Sequence, residues 1–405
     1  MAEKKTNKGY LTGKEIRAIT KANAKEMKRL EAYKNRKAEE SEFLTQMKNP
    51  DNILEIDGLH TYFFTEQGTV KAVNGVSYDV PKNSVVGVVG ESGCGKSVTS
   101  MSVMRLIQGP AGQIVDGDIR FKAYDYKRDE KGNPIPKAGG EAGQFEMEEK
   151  IYDIAKMPIH EIHRIRGKQI AMIFQEPMTS LNPVFTIGEQ LDEVTLIHVP
   201  GATKELAKAK SEEMLRLVGI IPENVYNAFP HELSGGMRQR VMIAMALAAE
   251  PRLIIADEPT TALDVTIQAQ ILDLLQDIKT KIDGSILLIT HDLGVIAEMA
   301  DYVVVMYAGK VIEKGTVYEI FQDPRHPYTI GLQKSKPTMT LDDSAELYNI
   351  PGNVPNPINM PDHCYFKERC AKCVAKCGGD YPGMHQVSPT HFVACHLYDE
   401  ENANG

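Results

Sequence analysis

The sequence lacks the features of secreted and membrane-spanning proteins. Its longest apolar runs, residues 242–249 and 303–308, fall far short of the roughly 18 residues that a spanning helix needs. The N-terminus contains no apolar stretch of the kind found in a secretory signal. We therefore expect a chain on the cytoplasmic side, and any role at a membrane would come through partner subunits.

An excess of basic residues is also absent. The net charge is −9, which gives no indication of nucleic acid as a partner. The apolar share of 42% and the charged share of 25% are those of an ordinary globular protein. With 405 residues, the chain is long enough for two domains or for one large domain with appendages.

Cysteine is scarce and unevenly placed. Cys94 stands alone, whereas the other five lie near the C-terminus: Cys364, Cys370, Cys373, Cys377 and Cys395. In a reducing compartment such a cluster indicates metal binding before disulfide bonding. The spacing Cys370-x2-Cys373 suits zinc. Three histidines in the same region are further possible zinc ligands: His385, His391 and His396.

Changes in composition divide the chain into three parts. Residues 1–49 are basic and weakly amphipathic, which fits either a helical extension or a solvated, partly disordered tail. Residues 50–325 form the main domain, interrupted at 123–150 by a Gly- and charge-rich segment that we interpret as a surface insertion. Residues 326–405 contain a proline-rich connection and the cysteine cluster, which predicts a small C-terminal domain.

The main domain has the pattern of an α/β fold. Residues 53–59 and 70–80 predict paired strands that lead into a third apolar strand ending at Val89. From there to Ala308, short apolar runs alternate with helical stretches, which predicts a partly parallel sheet.

A phosphate-binding loop follows this third strand. The segment matches G-x-x-x-x-G-K-[ST] between a strand and a helix, and consists of Gly90, Glu91, Ser92, Gly93, Cys94, Gly95, Lys96 and Ser97. The glycines let backbone N–H groups point at phosphate oxygens, and the helix adds its positive N-terminal end. We expect Lys96 to pair with the β- and γ-phosphates of ATP and Ser97 to bind Mg²⁺. The Cys94 thiol is expected to react with maleimide unless ATP shields it.

Two carboxylates end a second buried strand. The apolar residues 253–256 run directly into Asp257 and Glu258. Asp257 is expected to hold Mg²⁺ through its water shell, and Glu258 to orient or deprotonate the water that attacks ATP. Acidic strand-to-loop junctions are common in isolation, but beside a phosphate-binding loop this one predicts hydrolysis.

The segment LSGGMRQR at residues 233–240 resembles the signature of ATP-binding cassette (ABC) subunits. It places a Ser cap and two glycines at the start of a helix, which makes a second anion-binding terminus. In that family the signature faces the ATP held by another cassette. The resemblance therefore implies that Ser234, Gly235 and Gly236 make contacts across a dimer. Met237 stands where most members have Gln.

Other residues resemble further family positions in the expected order. Gln175 resembles the loop glutamine that senses Mg²⁺ and couples to the membrane subunit, and Asp264 resembles the residue that crosses the dimer interface. His291 resembles the histidine that contacts the γ-phosphate. Phe63 resembles the aromatic residue that stacks on adenine, with Tyr62 as the alternative. The resemblance implies an active ATPase with a RecA-like core, an antiparallel β subdomain and a helical subdomain.

Three segments resemble one branch of that family, the peptide and nickel importers: residues 175–183, 260–270 and 323–329. This branch uses four thiolates to bind a [4Fe-4S] cluster, and the cysteines that match its pattern are Cys364, Cys370, Cys377 and Cys395. Zinc or free thiols are the alternatives. The resemblance implies uptake of di- or oligopeptides, with nickel as the alternative solute.

The resemblance also implies partners and a location. The partners are two transmembrane permease subunits, a second ATPase subunit that is similar or identical, and an extracytoplasmic peptide-binding protein; nucleic acid is not among them. The chain would lie peripherally on the cytoplasmic face of the cell membrane. Soluble ABC ATPases that act on ribosomes or DNA fit less well. The ribosomal kind has two cassettes, and the DNA-repair kind has a coiled coil for which residues 123–150 are far too short.

Overall fold

The computed structural model describes residues 11–129, 133–138, 145–175, 180–261, 264–282, 284–335 and 348–399. Its strands are β1 (Asn52–Thr65), β2 (Gly68–Pro81), β3 (Val85–Val89), β4 (Gly112–Tyr126), β5 (Met147–Asp153), β6 (Ile170–Ile173), β7 (Leu253–Asp257), β8 (Ser285–Thr290), β9 (Tyr302–Tyr307), β10 (Lys310–Thr316), β11 (His385–Gln386) and β12 (Phe392–Val393).

The helices lie between and around these strands. They are α1 (Gly13–Lys34), α2 (Lys96–Val103), α3 (Ile187–His198), α4 (Lys204–Leu217), α5 (Pro222–Val225), α6 (Gly235–Leu247), α7 (Val265–Ile282), α8 (Leu293–Met299), α9 (Val317–Gln322) and α10 (Pro327–Lys334).

A mostly parallel sheet forms the centre of the fold. Its strand order is β11-β12-β10-β9-β3-β8-β7-β6, and the five strands from β9 to β6 are parallel. Strands β3, β7 and β8 are buried along their whole length and consist mostly of apolar residues, as expected for strands covered on both faces. Because their carboxyl ends share one edge of the sheet, the segments that follow them lie close together. The predicted partly parallel α/β core is confirmed.

An antiparallel sheet and a layer of helices flank this core. The second sheet has the order β2-β1-β4-β5, and β1 and β2 pair as predicted, with Leu59 opposite Val76. On the other side, α3, α4 and α6 contribute Leu191, Leu215 and Val241 to the larger apolar core. These two parts correspond to the antiparallel β subdomain and the helical subdomain.

The predicted surface insertion extends a strand pair. Its two ends continue β4 and β5, which stay in register from Ala123 opposite Lys150 to Tyr126 opposite Met147. Farther out, isolated bridges join Arg128 to Pro134 and Pro136 to Phe145. These backbone pairings join the described parts of the insertion to one another.

The N-terminal extension contains a docked helix. Thr12 caps α1 through a capping box with Glu15, and Leu30 is buried. The Nδ2 of Asn23 donates to the carbonyl of Thr65 at 2.9 Å, and the Nε2 of Gln113 donates to Glu31 at 2.7 Å. Residues 11–34 therefore follow the helical interpretation rather than that of a solvated tail.

The C-terminal region, predicted to be a small domain, packs directly on the main domain. Strands β11 and β12 add to the edge of the central sheet, where Val393 pairs with Glu313. Met360, Tyr365 and Phe366 belong to the same apolar core as the helical layer. A segment of about 50 residues has too few apolar side chains to build a core alone, so it packs on the main domain instead.

Candidate active site

The phosphate-binding loop connects β3 to α2 in the way its sequence predicts. Gly95 has a φ of 99° at the start of α2, and a Cβ there would overlap the carbonyl oxygen of Ala72, so glycine is required. The buried Lys96 Nζ donates to the carbonyls of Gly90 at 2.7 Å and Glu91 at 3.2 Å. Because the Lys96 ammonium lies inside the loop, it is close to where the phosphates of ATP would bind.

The Ser97 hydroxyl and the Asp257 carboxylate meet across the carboxyl edge of the sheet. Ser97 Oγ donates to Asp257 Oδ1 at 3.0 Å. Burial raises the pKa of Asp257, and the hydrogen bond from Ser97 opposes that shift in part. Hydroxyl and carboxylate oxygens are hard donors of the kind that Mg²⁺ prefers, so this pair fits the ion predicted for it.

Glu258 is the meeting point of three other side chains. Its Oε2 accepts hydrogen bonds from Gln175 Nε2 and from Thr261 Oγ1, both at 2.9 Å. Its Oε1 lies 3.2 Å from His291 Nδ1. The structure therefore brings together the three residues predicted to act in catalysis, Gln175, Glu258 and His291, from loops that follow β6, β7 and β8.

The backbone at Glu258 adopts a rare conformation. Its φ of 47° lies in the left-handed region, and its N–H donates to the carbonyl of Ile289 at 2.8 Å. Such backbone angles are costly for a non-glycine residue, and they cluster at functional sites. Here the conformation occurs at the residue whose carboxylate contacts Gln175 and His291.

The Cys94 thiol is less accessible than its place in the loop predicts. Only 1% of the residue is exposed, and burial raises the pKa of its thiol. Its Sγ lies 3.8 Å from the Lys96 ammonium. We therefore expect this thiol to react slowly with maleimide in the nucleotide-free protein, because only an accessible thiolate reacts.

The signature segment starts α6 with an exposed N-terminus. Ser234 caps the helix by accepting a hydrogen bond from the N–H of Met237 at 3.4 Å, while Gly235 is exposed and Gly236 is partly exposed. The Met237 side chain packs against the apolar core, so the departure from Gln at this position leaves the helix terminus intact. This terminus is free to meet an anion brought by another molecule.

Asp264 and the two candidate aromatic residues have simpler local environments. Asp264 is exposed and caps α7 by accepting a hydrogen bond from Ile267 N at 3.0 Å. Phe63 lies opposite Gly112 on β4, and the phenol of Tyr62 donates to Asn74 at 2.8 Å. Neither ring is fully buried, so each retains surface on which adenine could stack.

Comparison with known proteins gives the family. The family model described as "ABC transporter" matches residues 73–261. A second model, described as "Oligopeptide/dipeptide transporter, C-terminal region", matches residues 312–377. The chain is 46% identical over 353 residues to the oligopeptide transport ATP-binding protein AppD of Bacillus subtilis, which covers 87% of this chain and 98% of that protein. It belongs to the ATPase subunits of oligopeptide and dipeptide ABC transporters.

Further relatives of this ABC ATPase agree. The oligopeptide transport ATP-binding protein OppD of B. subtilis is 48% identical over 342 residues, covering 84% of this chain and 87% of that protein. Among solved structures, the dimeric ATP-binding cassette MJ0796 bound to ADP and Pi aligns with a TM-score of 0.52 and 22% identity. That alignment covers 65% of this chain and 98% of the other, and it supports the cassette fold.

The C-terminal thiols of this ATPase are close to one another. Cys364, Cys377 and Cys395 are buried, and the Cys364 N–H donates to the Cys377 carbonyl at 3.2 Å. The pKa of the Cys364 thiol is raised to about 12, mainly by burial. The neighbouring thiols of Cys377, Cys395 and Cys370 contribute to the same shift. Cys373 is exposed. In the part of the chain that the structure describes, no group of three or more His, Cys, Asp or Glu side chains surrounds a position for a single metal ion.

The three histidines considered as zinc ligands are engaged with carboxylates. His391 Nε2 lies 2.8 Å from Glu313, His385 Nε2 lies 3.1 Å from Asp399, and His396 Nδ1 lies 3.0 Å from Asp399. One ring nitrogen of each histidine therefore faces a carboxylate, on Asp399 or on Glu313. This arrangement disfavours the zinc alternative.

The site also contains residues that the sequence did not reveal. Thr261 donates to Glu258, Tyr328 accepts a hydrogen bond from Glu91 N at 2.8 Å, and Arg369 pairs with the Glu91 carboxylate. A lone Thr, Tyr or Arg carries no spacing pattern that would single it out. Only the family-like context of residues 260–270 pointed near Thr261.

The length and apolar character of the helices decide whether any of them can span a membrane. Among the helices within the described ranges, none is long and apolar enough to cross a bilayer.

Proposed function

We propose that this chain powers the import of di- and oligopeptides by hydrolysing ATP at a site built around Glu258. The observation that carries the proposal is the convergence of Gln175, Thr261 and His291 on one carboxylate, directly after the Asp257–Ser97 pair. A carboxylate held in this way is suited to orient or deprotonate a water molecule. Peptides are assigned because relatives that match nearly their full length are named oligopeptide and dipeptide transport proteins.

The roles of the individual residues follow from their positions. Lys96 and the backbone of the loop from Gly90 to Ser97 would neutralise the phosphates of ATP, and the N-terminus of α2 would add its positive end. Ser97 and Asp257 would hold Mg²⁺, which neutralises charge on the β- and γ-phosphates. His291 would contact the γ-phosphate, and Phe63 would stack on adenine.

We assign the exposed signature to a second ATPase subunit, similar or identical to this one. Ser234 caps a helix whose N-terminal residues Gly235 and Gly236 are exposed or partly exposed, and Asp264 lies exposed before α7. A head-to-tail pair would bring each signature to the ATP held by its partner. ATP binding would close the pair and hydrolysis would reopen it.

The membrane permeases would dock in a groove beside Gln175. The groove has a volume of about 300 Å³ and is lined mainly by apolar side chains, among them Phe174, Leu181, Val194 and Met245. An apolar helix of a permease loop suits this lining and would touch the segment that reaches Glu258. We expect the variant Met245→Glu to lose copurification with the permeases, whereas Ile221→Glu, at an exposed position elsewhere, should keep it. Retained copurification of both would refute this site.

We assign the four thiols of Cys364, Cys370, Cys377 and Cys395 to a [4Fe-4S] cluster with a structural role. Each thiolate of such a cluster binds a different iron, so the four sulfurs need not surround one ion. Anoxically purified protein should absorb broadly near ~400 nm and contain about four irons per chain. Cys364→Ser should abolish both signals, while Cys373→Ser should keep them. A colourless protein without iron would refute the cluster.

Uptake measurements test the proposed function. Cells that carry Glu258→Gln in place of the wild type would be compared for uptake of labelled dipeptide, longer peptide and nickel ion, with Glu223→Gln as a matched control at an exposed position. We expect peptide uptake alone to be lost in Glu258→Gln and kept in Glu223→Gln. Loss of nickel uptake alone would identify a nickel importer, and unchanged uptake of all three would refute import by this chain.

A further inference from the structure

A buried arginine from the C-terminal region holds the phosphate-binding loop. Arg369 Nη1 donates to Glu91 Oε2 at 2.7 Å, and its Nη2 donates to Glu91 Oε1 at 3.0 Å. The guanidinium and carboxylate therefore meet through two parallel hydrogen bonds, the strongest geometry for such a pair. The Arg369 side chain is only 4% exposed. The two residues are 278 positions apart in the sequence.

Several neighbours fix the position of this arginine. Its Nε donates to the carbonyl of Pro351 at 3.0 Å, and its Nη1 donates to Tyr307 Oη at 3.3 Å. Tyr307 also packs against Tyr328, with ring centroids 4.7 Å apart, and the Tyr328 hydroxyl accepts a hydrogen bond from Glu91 N. The arginine is thus preorganised by the C-terminal segment and by the end of β9.

Glu91 needs such a partner because of where it lies. Its carboxylate belongs to a loop that binds phosphates, and its carbonyl accepts a hydrogen bond from Lys96 at 3.2 Å. An unpaired negative charge there would repel ATP, since charges interact strongly where water is partly excluded. The paired guanidinium cancels that charge and holds the backbone that contacts Lys96.

We propose that Arg369 is a positioning residue for ATP binding, through which the C-terminal segment sets the affinity of the phosphate-binding loop. Arg369 immediately precedes Cys370, and the same segment adds β11 and β12 to the central sheet. A change in the packing of residues 348–399 would therefore change the affinity of the loop for ATP. This inference rests on the proposed nucleotide site.

Three variants of the full-length chain test the proposal by calorimetric titration with Mg-ATP and by steady-state hydrolysis. Arg369→Met should weaken ATP binding at least about tenfold, equivalent to about 1.4 kcal/mol, with kcat nearly unchanged. The double variant Arg369→Met with Glu91→Gln should recover most of the lost affinity, because the repelling carboxylate is gone. Lys376→Met, which breaks the Lys376–Asp399 ion pair in the same segment, should bind like the wild type.

The outcomes separate this proposal from its rivals. A purely structural arginine would lower kcat with the folded fraction, leave the KM for ATP unchanged and show no recovery in the double variant, and that result would overturn the proposal. If Arg369→Met does not fold, Arg369→Gln decides, because its amide can still donate hydrogen bonds but carries no positive charge: weaker ATP binding supports the proposal, and wild-type affinity overturns it. Lys96→Ala should abolish ATP binding; if it does not, the nucleotide site itself is wrong.

Discussion

His291 Nδ1 lies 3.2 Å from Glu258 Oε1, although 33 positions separate the two residues in the sequence. The contact arises because β7 and β8 are adjacent and parallel, so the residues that follow them share one edge of the sheet. Gln175 reaches the other oxygen of the same carboxylate from the loop after β6. The Glu258 carboxylate, which we propose to be catalytic, is therefore contacted by side chains that follow the two strands beside β7.

Removal of either neighbour should impair hydrolysis more than binding. We expect Gln175→Ala and His291→Ala each to lower kcat by about 10²-fold, in the range typical of groups that assist proton transfer. The Kd for ATP should change less, because phosphate contacts come mainly from the loop around Lys96. His160→Ala, at an exposed histidine paired with Glu161, serves as the control. Equal losses in binding and in kcat would contradict these roles.

The ionised Asp257 carboxylate should lower the free energy of unfolding in the absence of nucleotide. Burial raises its pKa in the folded protein, so the folded state holds the proton more tightly than the unfolded state does. The contribution of Asp257 to the free energy of unfolding is favourable at low pH. It is lost as the pH rises from 3.8, the pKa in the unfolded chain, through the higher pKa in the folded protein. Asp257→Asn should therefore be at least as stable as the wild type at pH 7, since the amide still accepts the hydrogen bond from Ser97.

Urea unfolding between pH 4 and pH 8, without Mg²⁺ or ATP, measures this effect. The stability difference in favour of Asp257→Asn should grow as the pH rises. Asp116→Asn, at a carboxylate bonded only to the adjacent Gly117 N–H among the described contacts, should show no such trend. A variant that is less stable than the wild type at pH 7 would contradict the prediction.

The cysteines should differ in reactivity in a defined order. Cys373 is exposed, whereas Cys94 is 1% exposed and burial raises its pKa. Maleimide should therefore label Cys373 quickly and Cys94 slowly in the nucleotide-free protein, because only an accessible thiolate reacts. Peptide mapping by mass spectrometry after short labelling times would decide. Labelling of Cys94 as fast as that of Cys373 would show that the loop opens freely.

The buried contact between Glu313 and His391 should anchor the hairpin formed by β11 and β12. The Glu313 carboxylate is fully buried and accepts hydrogen bonds from Arg325 N, His326 N and His391 Nε2. His391→Ala should lower the free energy of unfolding by about 1–3 kcal/mol, since a buried acceptor loses its donor. Denaturant unfolding of the full chain, with His160→Ala as reference, measures the loss. A change below about 0.5 kcal/mol, the size expected of an ordinary surface substitution, would argue against the anchor.

Local sequence patterns were enough to predict the phosphate-binding loop and the strands beside it, whereas the cassette itself was implied by the family resemblance. The glycine spacing from Gly90 to Gly95 and the apolar run before Asp257 each report a short stretch of backbone, and both lie where expected. The β1–β2 pairing was equally readable, because its two strands are close in sequence. These features depend on neighbouring residues, so single-sequence reasoning reaches them.

Distant contacts could not be read in this way. Arg369 meets Glu91 across 278 positions, and α1 docks through Asn23 on Thr65, both as results of tertiary packing. The packing of the C-terminal region could not be read for the same reason: composition marked a boundary, but it could not show that Tyr365 and Phe366 join the main core. The roles of Ser234, Asp264 and Phe63 stay predictions, since their partners are outside this chain.

The most direct test of the central claim is ATP hydrolysis by the purified Glu258→Gln variant, measured together with its affinity for ATP. The account predicts that kcat falls by at least about 10²-fold, while ATP still binds with close to wild-type affinity. Hydrolysis by Glu258→Gln at the wild-type rate would show that Glu258 does not activate water, and would contradict the proposed mechanism.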